Sequence, residues 1–458
     1  MKKILCITLA CILVLTSVIL TACNGQQSDA KSSQADTQSN TSDSSSKADT
    51  TKSTEASEEY VIKYPTHQIG TNTSAPANAE MVRTFNEKYK GKYRIEVEEV
   101  PGDKNYVDKI KILLASRQLP DFVYGSTNID AIYEQGLCMD LTPLLDADPE
   151  WKALFPEAVL EYNSRDGKVV ALPNEGQLVG YYYNKELFAK AGIEGPAKTW
   201  NEFFDICKRL KEAGITPMSM QTGDNAFVTQ LWLGQMIVTS DEGKQMLRAT
   251  VKETNYNKQC FIDGLKMLQP IFTEGYTTKD AIGGMYENAA NNFISGKTAM
   301  IANGTWMIGS FSDPNMGGSE EFAKKVDIAL YPENGYYSNP FAGFMICAQT
   351  EKGKEAAIAM LKHWTSKETM LSNLRIMGMV PSGKIDIPQD VLEKWPLLGK
   401  MLQLKNQPEA QSYFTLTNQM YSNVVDVLSQ YMTLFADGKC TAEEFAQAMT
   451  EAAQKNLE

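Results

Sequence analysis

The chain has 458 residues, 43% of them hydrophobic and 22% charged, with 44 Lys+Arg against 56 Asp+Glu and a formal net charge of −12. That length supports two domains with substantial cores. The acidic balance excludes a nucleic-acid partner, which would need a basic face.

The N-terminus has the order of a secretory signal. Lys2 and Lys3 are followed by an apolar run from Ile4 to Leu20, broken by Thr8, Thr16 and Ser17. The run is marginal for a permanent span. It closes on Leu20-Thr21-Ala22-Cys23, which looks like a bacterial lipobox. This predicts a signal peptide over 1–22 and a diacylglyceryl group on Cys23, two acyl chains giving stable anchoring where one would not. An uncleaved anchor or a plain secreted protein are the alternatives. Loss of the leader leaves 42 basic against 56 acidic residues. From Asn24 to Glu58 the chain is almost entirely Ser, Thr, Gln, Asp, Lys and Ala with no aromatic or branched aliphatic residue. Such a stretch cannot bury enough apolar surface to offset its ordering entropy and is predicted to be a disordered spacer. Folded sequence begins at Tyr60, and no second apolar run approaches a membrane-span length.

Helix and strand patterns then alternate. Val82, Phe85 and Tyr89 form a helical stripe ending near Gly91, before the strand-like Tyr93–Val97. Val107, Ile110, Leu113 and Leu114 mark a second helix and Asp121–Tyr124 a second short strand, a spacing that predicts parallel βαβ units. Thr199-Trp200-Asn201-Glu202 reads as a capping box, with Phe203, Phe204, Cys207 and Leu210 on one face and Gly214 as the stop. Thr441-Ala442-Glu443-Glu444 opens a final helix in the same manner. The class is α/β.

Catalytic constellations are scarce. The five cysteines beyond Cys23 (Cys138, Cys207, Cys260, Cys347 and Cys440) contain no CxxC pair and read as small buried hydrophobes. Of the two histidines, His67 and His363, the second falls in a helical pattern at a surface or core edge. No HExxH or GxSxG occurs. Gly296-Lys297-Thr298 imitates the end of a P-loop, but Asn291 stands where the first glycine belongs and Phe293-Ile294-Ser295 reads as a helix end. Nothing calls for a metal or cofactor. Carboxylates are plentiful, so an Asp/Glu glycosidase pair stays open.

The central segments carry the clearest signal. Asp166-Gly167-Lys168-Val169-Val170-Ala171-Leu172-Pro173 leads to Tyr181-Tyr182-Tyr183-Asn184-Lys185-Glu186-Leu187-Phe188, then Ala191-Gly192-Ile193, Pro196 and Thr199-Trp200-Asn201-Glu202-Phe203. Leu119-Pro120-Asp121-Phe122-Val123, Gly136 and Asp140-Leu141-Thr142-Pro143 precede them. Phe293-x-x-Gly296-Lys297-x-Ala299-Met300, Gly304-Thr305-Trp306 and Gly378-x-x-Pro381 follow. In this order the set closely resembles the extracellular solute-binding proteins of ABC importers, family 1, which includes maltose- and multiple-sugar-binding proteins. The resemblance spans roughly residues 60 to 450.

The resemblance implies a two-lobed, periplasmic-binding-protein-like (type II) fold, with a hinge and a cleft between the lobes. Lobe one would be 59–174 plus 339–383, and lobe two 175–338 plus 384–458. The implied function is a monomeric, lipid-anchored receptor on the extracellular face that captures a mono- or oligosaccharide and hands it to the permease subunits by hinge closure. No covalent chemistry is required. The alternative is a surface glycoside hydrolase or lyase with an Asp/Glu pair.

A sugar offers apolar C–H faces and a rim of hydroxyls, so its site needs aromatic planes beside short polar groups. Trp306 matches the family position whose indole commonly stacks on a sugar, and Gly304 and Thr305 enter the expected site with it. Trp232 sits in a helical apolar setting that fits core or cleft equally. Asn72, Thr73 and Ser74 follow the first strand, and Gly125 and Ser126 follow the Pro-Asp strand. Glu175 and Gln177 lie in the crossover. Tyr181 and Tyr182 alternate on one strand, so only one of them is expected to face solute. Gly343 would let backbone approach the ligand. The first strand departs from many sugar-binding relatives, with Tyr64-Pro65-Thr66-His67 where an aromatic usually borders the cleft. A phosphate-bearing solute would want an arginine, and Arg375 reads instead as a helix-surface residue.

Overall fold

The computed structural model describes residues 59–457 apart from Thr250 and Asn339, so the leader, Cys23 and the spacer lie outside the described residues. The strands Tyr60–Thr66 and Tyr93–Glu99 pair in parallel, Tyr60 opposite Tyr93 through Thr66 opposite Glu99. The helix Ala75–Lys88 connects them, and Gly91, at φ +80°, turns the chain back after it. This is the expected βαβ unit. The third strand, Phe122–Tyr124, follows the helix Asp103–Ala115 but does not simply extend a parallel run. It pairs antiparallel with Phe344–Ile346, a segment returning from much later in the chain.

Period-2 alternation on these strands divides the apolar side chains between two layers. Phe122, Phe344 and Ile346 join Tyr64, Phe85 and Trp364 on one side. Val123, Met345 and Cys347 join Tyr106, Ile110 and Val170 on the other.

A larger core surrounds a six-stranded sheet. Its order is Gln411–Tyr413, Gly335–Tyr337, Val179–Asn184, Thr298–Gly304, Thr216–Met218, with Val326–Ala329 also pairing on Val179–Asn184. Val179–Asn184 is buried at every position, so it lacks the polar alternation of a one-sided strand. The helix Trp200–Glu212 lays Phe203, Cys207 and Leu210 against this core. Each such large apolar side chain contributes ~1.5–3 kcal/mol on burial. Its cap is half of the reciprocal arrangement. Glu202 N–H donates to Thr199 Oγ1 at 3.3 Å, but the Glu202 carboxylate accepts from Lys198 N–H at 2.7 Å instead of from Thr199. At the helix Ala442–Gln454 both halves form, at 3.1 and 2.8 Å between Thr441 and Glu444.

The chain passes between the smaller and larger cores from Leu172 to Leu178, from Tyr337 to Phe344, and from Met370 to Leu374 within the helix Lys367–Met377. The first crossing runs beside 380–382. Gly176 N–H donates to the Val380 carbonyl and Ser382 Oγ to the Pro173 carbonyl, each at 2.7 Å. A Cβ on Gly176 would approach the Pro381 oxygen to 3.2 Å, which keeps these two strips close.

The five cysteines are free, three of them buried. His363 is buried beside Thr84, 3.0 Å from its Oγ1, and burial lowers its pKa to about 4, so it is neutral at neutral pH. Arg375 is an exposed partner of Asp390 at 3.6 Å. Gly296 lies between the helix Tyr286–Ile294 and the strand Thr298–Gly304, the reverse of the strand–loop–helix order that cradles a phosphate. Among the described residues no helix is long and apolar enough to cross a membrane, and no group of three His, Cys, Asp or Glu is placed to hold a metal ion.

Candidate functional site

A cleft lies between the smaller and larger cores, and both supply its walls. From the first strand's end come His67 and the turn Asn72–Ser74, which Asn72 shapes by accepting Ser74 N–H at 3.0 Å. Ser126 follows the strand Phe122–Tyr124 in a left-handed conformation, φ +45°. The first crossing adds Glu175 and Gln177, and the second adds Phe341. The larger core supplies Asp224, Phe227, Tyr286 and Trp306, together with the C-terminal stretch around Asn418.

Trp306 is the principal aromatic plane. It is 8% exposed, and its ring stands between Phe227, tilted at 6.1 Å, and Phe341, edge-on at 6.2 Å. Gly304 makes that placement possible, because a side chain there would overlap the indole. His67 brings an imidazole ring to the end of the first strand, the place where the sequence departs from many sugar-binding relatives. It lies 5.3 Å from Tyr106 and 6.2 Å from Tyr124, and its Nε2 is 3.6 Å from Asp103.

Two carboxyls are nearly removed from water. Glu175 is 7% exposed, and burial alone raises its pKa to about 8, leaving it largely protonated near neutrality. Asp224 sits in a turn with φ +51° and accepts Tyr286 N–H at 3.0 Å through Oδ2. Burial, opposed by that bond, raises its pKa to about 6. Asp224 Oδ1, Gln177 Oε1, His67 Nδ1 and Asn418 Nδ2 are buried without a hydrogen-bond partner. Buried polar atoms are usually satisfied, so this concentration marks where a solute's hydroxyls can bond.

Bonds also cross the cleft. Asn225 Nδ2 donates to Asp103 Oδ2 at 2.9 Å, and Thr73 Oγ1 lies 3.2 Å from Tyr286 Oη, which accepts from Asn303 Nδ2 at 3.0 Å. Lys111 pairs with Asp426 at 2.7 Å, and Lys252 with Asp130 at 3.4 Å. The mouth is thereby drawn together by both sides.

Of the residues expected at the site, Trp306, Asn72, Thr73, Ser126 and Glu175 line this cleft. Others lie elsewhere. Tyr181 and Trp232 are wholly buried in the larger core, their rings 5.2 Å apart and both against Tyr331. Tyr182 is equally buried and donates its hydroxyl to the Gly304 carbonyl at 2.9 Å. Neither tyrosine faces solute, because the strand they share is covered on both faces. Thr305 is buried behind Trp306, and Gly304 lies beneath its ring. Gly343 packs on the Leu172 backbone and accepts Gly125 N–H at 2.9 Å, so its backbone ties these segments together beside Phe341.

Asp224, Phe227, Tyr286, Phe341 and Asn418 escaped the sequence reading. Asp224 and Phe227 had a usable signal: after the strand Thr216–Met218, Asp224 sits in the polar turn Gly223-Asp224-Asn225 and Phe227 opens the next helix, the kind of strand-to-helix loop that carries ligand groups in α/β folds. Tyr286 and Asn418 had none, since tertiary pairing alone brings them in.

A profile of bacterial extracellular solute-binding proteins matches residues 80–400. A putative binding protein of Brucella abortus is 22% identical over 290 residues, covering 61% of this chain and 63% of the relative, so the chain spans about 63% of that relative's length. An sn-glycerol-3-phosphate-binding periplasmic protein, UgpB of Rhizobium meliloti, is 24% identical over 34% of this chain and 37% of its own. Among solved structures, a chitin oligosaccharide binding protein superposes with a TM-score of 0.75 at 22% identity, over 87% of this chain and 98% of its own. That likeness carries the fold: mixed α/β and two-lobed, with the cleft between the lobes. The chain belongs to the bacterial extracellular solute-binding proteins.

Proposed function

We propose that the chain is the receptor of an ABC importer, capturing a mono- or oligosaccharide between its lobes and presenting it to the permease by hinge closure. The observation that carries this reading is the cleft itself, where one broad indole, Trp306, stands among unpartnered buried polar atoms drawn from both lobes. A sugar satisfies both features at once, its C–H face on the ring and its hydroxyls on the polar atoms. The named ligand of the chitin oligosaccharide binding protein is of this chemistry. A phosphate monoester such as UgpB's named ligand fits less well, since the lining includes Asp103, Glu175, Asp224 and Glu287 and no arginine.

The lobes would be 59–174 plus 339–383 and 175–338 plus 384–458. Core membership supports much of this division, but Ala77, Phe341, Leu374, Met377, Met379 and Val380 of the first ranges pack with the larger core, and Ile385 of the second with the smaller. Cys23 would carry the lipid, and the polar stretch to Glu58 would hold the receptor off the extracellular face of the membrane as a monomer. Thermal-shift screening against mono- and oligosaccharides tests the reading. A sugar that raises the melting temperature and is recovered unchanged supports it. Product formation would make the protein an enzyme, and silence across the panel would remove the carbohydrate.

A further inference from the structure

Charge narrows the solute further. Four carboxylates line the cleft, Asp103, Glu175, Asp224 and Glu287, and among its described lining residues the only lysine or arginine is Lys252. That cation is already engaged: its Nζ donates to the Met420 carbonyl at 2.7 Å and lies 3.4 Å from Asp130, which also pairs with Arg165. Asp103 is engaged too, by Asn225 and His67.

Glu175 and Asp224 are different. Both are more than nine-tenths buried. Burial alone, with no hydrogen bond or charge beside it, acts on the Glu175 carboxyl, and Asp224 keeps Oδ1 without a partner beside its one backbone bond. Gln177 Oε1 adds a third buried, unpaired acceptor, against the unpaired nitrogens His67 Nδ1 and Asn418 Nδ2.

A buried carboxylate without a counter-charge is costly, and either a proton or an incoming cation relieves it; at Glu175 the cation takes the place of the proton, which passes to solvent. A neutral hydroxyl fills a lone pair but brings no charge. An ammonium group brings three donors and the missing charge together. An anionic solute meets repulsion from Asp103, Asp224 and Glu287. We propose that the preferred solute is a saccharide bearing free protonated amines, its ring on Trp306 and its ammonium groups taken by the unpaired carboxylates of Glu175 and Asp224. This rests on reading the cleft as a carbohydrate site.

The test is calorimetric titration of the purified chain at neutral pH with matched sugars. Mono- and disaccharides of gluco, galacto and manno configuration are each taken in three forms, with a free amine, an N-acetyl group or a hydroxyl at the same carbon. The expected result is that the amine form of the best-fitting sugar binds at least tenfold tighter than both counterparts. Glu175→Gln and Asp224→Asn, each confirmed folded by its melting curve, should pull that ratio below threefold. A neutral form that binds as tightly as the amine overturns the proposal and leaves the carbohydrate reading standing. A preference that survives in both variants overturns the assignment to these carboxylates. Failure of every form to bind overturns the carbohydrate reading together with the proposal.

Discussion

The six-membered ring of the Trp306 indole lies across Gly304, so that a methyl on the glycine would sit 2.2 Å from its Cη2 and Cζ3 atoms. Only a residue without Cβ lets the ring occupy that place. Gly304→Ala should therefore displace the indole and weaken solute binding about tenfold or more, the loss of ~1.4 kcal/mol. Trp306→Ala should cost ~2 kcal/mol or more, as truncation of a buried aromatic anchor commonly does, or roughly thirtyfold. Titration calorimetry measures both. Affinities within twofold of wild type would remove Trp306 from the site.

Glu175 makes stability depend on pH in a definite direction. Its folded pKa of about 8 stands above the ~4.3 of an unfolded glutamate. Between those values the folded chain binds more protons, so the contribution of Glu175 is greatest at acid pH and is lost as pH rises toward 8. His363 acts oppositely, but it is present in both proteins of a pairwise comparison. Glu175→Gln should gain melting temperature relative to wild type between pH 5 and pH 8. A difference that stays constant across that range would contradict the buried, uncompensated carboxyl.

The fold was legible where the pattern is local. Residues 60–99 announced a βαβ unit, and Thr441 with Glu444 announced a cap that forms in full. Long-range pairing was not legible: nothing around Asp121–Tyr124 shows that Phe344–Ile346 will pair antiparallel with that strand. At the site, Trp306 and Glu175 could be read because ordered motifs mark their positions. Tyr181 and Trp232 misled because an aromatic on a strand or helix looks alike whether its face meets a ligand or a second layer of core. Asp224 and Tyr286, 62 residues apart, meet only through tertiary structure.

The cross-cleft bond from Asn225 to Asp103 joins the lobes at the mouth. Asn225→Ala should speed solute dissociation two- to fivefold while changing the association rate less, since the bond forms as the lobes come together. Stopped-flow kinetics separates the two rates. An unchanged off-rate would show that the bond does not contribute to holding the lobes shut. Lys111→Ala, which breaks an ion pair whose partners are 30% and 47% exposed, should do less, because such pairs contribute ~0–1 kcal/mol.

Anchoring is tested at Cys23. Cys23→Ala should release the chain from the membrane fraction or leave its leader unprocessed, and acyl label should no longer be incorporated. Unchanged fractionation and labelling would refute the lipid anchor.

The central claim is that solute draws the two lobes together. Small-angle scattering of the purified chain, without and with saturating sugar identified in the thermal screen, measures this most directly. The account predicts a smaller radius of gyration in the presence of sugar. An identical profile at saturation would contradict it, leaving a rigid site whose occupancy the permease could not read from shape.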